Sequence, residues 1–123
     1  MIIRTIVTIL PALFMMAGGI THFVAPETFN GFIPKAWPRD LIHIVAGIAE
    51  TGTGIALLIP RFRAFGGVLL AAICIAYTPF HVWDLVRPDP VIAPLSAAII
   101  RLVLQAILIY IGYRVWSWNK KMT

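Results

Sequence analysis

Four stretches of this chain, residues 2–22, 41–59, 64–83 and 94–116, stay apolar for as long as a helix needs to cross a bilayer. About 20 residues at ~1.5 Å each cover the ~30 Å of hydrocarbon. In lipid every backbone N–H and C=O must find a partner without help from water, so the four runs are read as helices. The second and third are joined only by Pro60-Arg61-Phe62-Arg63, which forces them into an antiparallel hairpin. The expected fold is an all-α, four-transmembrane-helix antiparallel bundle, a single membrane domain over residues 1–123. Only 12% of the residues are charged and 60% are hydrophobic, against about 25% charged in a soluble domain.

The connections differ in character. Residues 23–40 form a long segment with Pro26, Pro34 and Pro38 among Phe29, Phe32 and Trp37, which reads as an ordered stretch lying in the membrane interface. Residues 84–93, with Pro88 and Pro90, read as a tighter turn. The net charge of +5 does not point to nucleic acid, because the basic residues sit at the ends of apolar runs and form no stripe with interleaved aromatics. They read instead as topology. Arg4, Arg61, Arg63, Arg114, Lys120 and Lys121 fall on the side of the termini, against Lys35, Arg39 and Arg87 on the other. By the positive-inside rule both termini are expected in the cytoplasm. Trp37 and Trp83 then mark the outer interface, Trp116 and Trp118 the inner one. The first run is longer than the 7–15 residues of a signal-peptide core, so it is read as a retained span.

Glu50 lies ten residues into the second run. A carboxylate there costs roughly 2.5–3.5 kcal/mol on insertion scales, so it is expected to face protein and to have a partner. His43, Gly47, Glu50 and Gly54 recur at steps of four, three and four and share one helix face. The glycines on that face admit a close helix neighbour. Arg101, inside the fourth run, is the expected partner, with Gln105 one turn further on. Counted at ~1.5 Å per residue, the two charges differ in depth by roughly 5 Å, which an arginine arm spans. Pro11 and Pro79 lie inside the first and third runs, and each removes a helical hydrogen bond.

His22, His43 and His81 fall at the outer ends of three different runs, above Glu50. Three imidazoles are common metal ligands, but no tight motif such as HExxH organises them, and no metal is expected. The polar group of Glu50, Arg101, His43, His81, His22 and Gln105 therefore carries two readings. One is a ligand-binding or proton-handling site; the other is a structural staple that fixes helix order. Phe29, Phe32, Trp37, Tyr77 and Phe80 are read as interface anchors and packing residues. Cys74 is the single cysteine, which excludes an internal disulfide or a CxxC pair.

The run GGITHFVAPETF over 18–29, followed by Ile33-Pro34, resembles the start of small bacterial DoxX-like membrane proteins. AGIAETGTG over 46–54 is similar to the G-x-x-E-x-x-x-G pattern of their second helix. LIPRFR over 58–63 resembles their short loop, and YTPFH over 77–81 their proline near the outer end of the third helix. The resemblance covers about residues 1–117; Arg101 and Gln105 lie outside the pattern. It implies a four-helix bundle in the bacterial inner membrane. Relatives of that kind include components associated with quinone-linked sulfur oxidation and members proposed to join membrane oxidoreductase complexes. The wider group is similar to MauE-type proteins tied to disulfide formation, and to an animal receptor-assembly chaperone.

The expected function is that of an accessory or ligand-binding subunit of a membrane redox system. A quinone-like lipid is the possible cofactor, and a membrane redox partner or a second copy of the chain the possible company. The alternative is a non-catalytic assembly or interaction protein in which a Glu50–Arg101 pair is structural. A small stand-alone enzyme or transporter is a third reading; no catalytic motif and no inverted repeat support it.

Overall fold

The computed structural model describes residues 1–121. Four long helices follow one another: α1 (Ile2–Val24), α2 (Arg39–Leu58), α3 (Arg63–Val86) and α4 (Leu95–Asn119). Each is long and apolar enough to cross a membrane. No strand occurs among the described residues. The helices match the four apolar runs, with ends that move by at most three residues. The extra length is polar or interfacial, including Asp84 at the end of α3 and Trp118 with Asn119 at the end of α4. Helices run on into the interface after the hydrocarbon ends, and hydropathy alone does not see that extension.

The bundle is built from two tight pairs. α1 packs on α2 and α3 on α4; α2 and α3 join the pairs closely, and α1 and α4 only lightly. Small residues make each pair. A Cβ placed on Gly19 would come within 2.5 Å of the Thr51 backbone nitrogen and 2.9 Å of the Gly47 carbonyl. A Cβ on Gly67 would come within 2.6 Å of the Gly112 carbonyl. Without a hydrophobic drive between helices in lipid, such backbone approach supplies the packing.

The start of α1 and the end of α4 lie at one end, where the Arg4 guanidinium stacks over the Trp118 ring at 5.0 Å. This terminal half is filled by a compact core that includes Leu57, Leu70, Leu108 and Val115. Outward-facing apolar residues such as Ile48, Ile75, Ile100 and Val103 are more than half exposed, and acyl chains would cover them.

The opposite end, called here the loop end, carries the long segment after α1. It is ordered, with a 3-10 helix over Pro26–Phe32. Asp84, 1% exposed, holds the α3–α4 connection against it. Its carboxylate accepts the backbone N–H groups of Val91 (2.6 Å) and Ile92 (2.9 Å) and pairs with Arg87 at 3.1 Å. Arg87 in turn donates to the Gly31 carbonyl at 2.7 Å and lies over the Trp83 ring at 4.5 Å. Arg39 donates to the Asn30 carbonyl at 3.3 Å from the start of α2. Two loops are thereby tied into one roof.

Candidate functional site

Beneath that roof the bundle holds a partly open cavity of about 550 Å³. It lies in the loop-end half, where the well-packed core stops. Its walls are mostly apolar: Phe14 and Met15 from α1, Ile42 and Ala46 from α2, Ile73 and Phe80 from α3. Phe29, Phe32, Trp37, Val91 and Ile92 close it from the two loops. The loop aromatics, together with Tyr77 and Phe80, were expected as interface anchors and packing residues; they also line this cavity. The reason is the fold of the 26–32 segment back over the bundle mouth, which the Asp84–Arg87–Gly31 tie maintains.

Polar groups converge on it from all four helices and from two sides. His22 and Glu50 line it from the α1–α2 pair, Tyr77 and His81 from α3, Arg101 and Gln105 from α4. Five of the six expected site residues therefore share one cavity. His43, the sixth, stands behind His22 as its hydrogen-bond partner.

The expected ion pair is not the one formed. Glu50 meets His22, whose Nε2 lies 2.8 Å from Oε2. Tyr77 also donates its hydroxyl to Oε2 at 3.2 Å. Arg101 has no carboxylate within ion-pair distance among the described residues; its guanidinium lies over the Phe14 ring at 5.4 Å. The cause is the pairing of helices. Close approach at Gly19 and Gly47 sets His22 beside Glu50, whereas α4 packs on α3 and faces α2 across the cavity. Gln105, 1% exposed, is not beside Glu50 either. It donates to the Cys74 carbonyl at 3.0 Å, which also accepts the Thr78 hydroxyl at 2.7 Å.

From Glu50 a chain of side chains runs to the roof. His22 Nδ1 lies 2.9 Å from His43 Nδ1, and His43 Nε2 lies 2.7 Å from Asn30 Oδ1. His22, His43 and Glu50 are all buried, at 7, 6 and 7% exposure. With the Asn30 amide oxygen turned to His43, each of the three contacts, Glu50–His22, His22–His43 and His43–Asn30, needs one proton. Three protons spread over a carboxylate and two imidazoles give zero net charge, whichever group holds them. A neutral network of this kind avoids the cost of a lone buried ion. It also gives the cavity an acid–base group, since the Glu50 carboxyl and the His22 imidazole lie within hydrogen-bond distance of each other.

His81 is apart from this chain. Its ring is edge-on to Phe32, with centroids 5.3 Å apart, and its buried Nδ1 has no hydrogen-bond partner. The three histidines thus share the loop end but not one centre. Among the described residues no group of three or more His, Cys, Asp or Glu side chains is arranged to hold a metal.

Sequence reasoning passed over Asn30 and Asp84, and gave Tyr77 only a packing role. Asp84 had a signal: an acid closing an apolar run, followed by Arg-Pro-Asp-Pro, is suited to binding the free amides of a turn. Asn30 had none, because only the folded 26–32 segment brings it to His43.

The family model of a domain of unknown function, DUF8561, matches residues 10–117. No curated protein and no solved structure matches the chain.

Proposed function

Because the chain belongs to DUF8561, a domain family of unknown function, we propose its role from the cavity itself: it binds an amphipathic, quinone-like molecule within the membrane. It does so as an accessory subunit of a membrane redox system. The observation that carries the reading is the cavity of about 550 Å³ with apolar walls and convergent polar groups on two sides. Ligand sites are typically clefts of ~300–1,000 Å³ with a few placed polar residues. Glu50 and Tyr77 on one side and Arg101 on the other suit a head group with oxygens at opposite edges. Aromatic walls suit a planar ring, and the lipid around the bundle suits an apolar tail.

The Glu50–His22–His43–Asn30 chain supports proton handling in the same site. A carboxyl–imidazole pair in hydrogen-bond reach of a ligand oxygen acts as a general acid or base. The redox setting rests on the resemblance to DoxX-like proteins. The same reading puts the protein in the plasma (inner) membrane with both termini cytoplasmic, after its charge distribution.

The test is titration of the purified protein with a short-chain ubiquinone or menaquinone, following Trp37 fluorescence against a Trp37→Phe background. Saturable quenching is expected, weakened at least ten-fold by filling the cavity with Ala46→Phe. Quenching that rises linearly with quinone, as simple partitioning into the micelle would give, counts against the reading. Purification as a stoichiometric complex with the cavity inaccessible to quinone would favour an assembly role instead.

A further inference from the structure

We infer that the head group held in this cavity is an oxyanion, bound through Arg101. The inference rests on the amphiphile-binding reading and narrows it to one charge class.

The argument is a charge count. Arginine stays protonated under all ordinary conditions, so Arg101 brings one positive charge to the cavity wall. The carboxylate nearest in role, Glu50, is not spare. With the Asn30 amide oxygen turned to His43, its network with His22, His43 and Asn30 is neutral once each of its three contacts holds a proton. Asp84 is committed to Arg87 and two backbone amides. Glu27, Asp40 and Asp89 do not line the cavity. His81 adds no negative charge in either protonation state. The wall is therefore left with an uncompensated cation.

That cation is placed to bind. Arg101 sits six residues into α4, roughly 9 Å below the helix start at ~1.5 Å per residue. An intramembrane arginine without a protein partner is costly and marks a ligand or ion path. Phe14 covers its guanidinium at 5.4 Å, and such stacking holds the flat group while its edge N–H donors stay free. A carboxylate, or the enolate of a hydroxylated quinone, presents the two-oxygen edge that a guanidinium fork grips. Both sources share one chemistry: a single oxyanion on an apolar body.

The experiment uses matched pairs of probes on the purified full chain, with quenching read at Trp37 against Trp37→Phe. One pair is dibromostearate and its methyl ester. The other is an alkylated hydroxynaphthoquinone, ionised at neutral pH, and its methyl ether. In each pair the anion is expected to bind at least ten-fold tighter than the neutral form. Arg101→Gln should bring the two within about two-fold, and Arg101→Lys should keep a preference for the anion. The pair with the larger ratio identifies whether the natural group is carboxylate or enolate. Equal binding of anion and neutral form in the unsubstituted protein overturns the inference and leaves amphiphile binding intact. So does an anion preference that survives Arg101→Gln. Absence of saturable binding by every probe, neutral quinones included, overturns both.

Discussion

Glu50 lies 2.8 Å from His22, a partner that can give up its proton, and that identity changes what a substitution does. Breaking a buried ion pair typically costs about 3–5 kcal/mol, because the remaining charge stays buried. That would hold for a carboxylate paired with arginine, which cannot give up its proton. Imidazole can. In Glu50→Gln the amide donates to His22 Nε2, His22 keeps its Nδ1 proton for His43, and every group is neutral. The variant should unfold within about 1 kcal/mol of the parent protein. Glu50→Leu strands a buried ring nitrogen and should cost about 1–3 kcal/mol. Thermal unfolding in detergent, followed by circular dichroism, separates the two; equal losses would refute proton sharing. The carboxylate at 50 was legible in the sequence as a residue that needs a protein partner. His22 as that partner was not, because a histidine at a helix end is equally at home in the interface.

Within the elements, two glycines of the α1–α2 pair should respond in opposite ways. A side chain at Gly19 would strike the α2 backbone, which can give way only if the helices part. A methyl group added at Gly52 would meet nothing within 4 Å. Gly19→Ala should therefore lower the melting temperature and loosen the His22–Glu50 contact. Gly52→Ala should raise stability by about 0.5–1 kcal/mol, the usual gain of alanine over glycine inside a helix. The loops make a second case. Asp84→Ala removes a charged acceptor from two backbone amides and should cost about 1.5–3 kcal/mol. Amide hydrogen exchange should rise across residues 87–94. Quinone quenching of Trp37 should weaken with it, because Val91 and Ile92 form part of the cavity roof. Asp84→Asn, which keeps one acceptor oxygen, should show smaller effects on both measurements. The helices themselves were legible, since apolar length is written in consecutive residues. The roof was not, because it depends on a contact between Arg87 and Gly31, 56 residues apart.

At the scale of the molecule, four spans place the start of α1 and the end of α4 at one face, and the basic residues predict that this face is cytoplasmic. Single cysteines test it: Asp89→Cys should react with a membrane-impermeant maleimide in intact cells, and Phe62→Cys only after permeabilisation. The reverse pattern would overturn the charge-based orientation. Cys74 does not interfere, being buried at 3% exposure. The number of spans, the α2–α3 hairpin and the need to shelter Glu50 follow from the sequence by itself, because hydropathy and helical period act over neighbouring residues. Tertiary structure alone decided which side chain Glu50 meets and where the bundle is hollow. The partner depends on which helix the small residues of α2 let approach. The cavity is the volume that four helices and two loops together leave unfilled, a sum over the whole chain that no local pattern records.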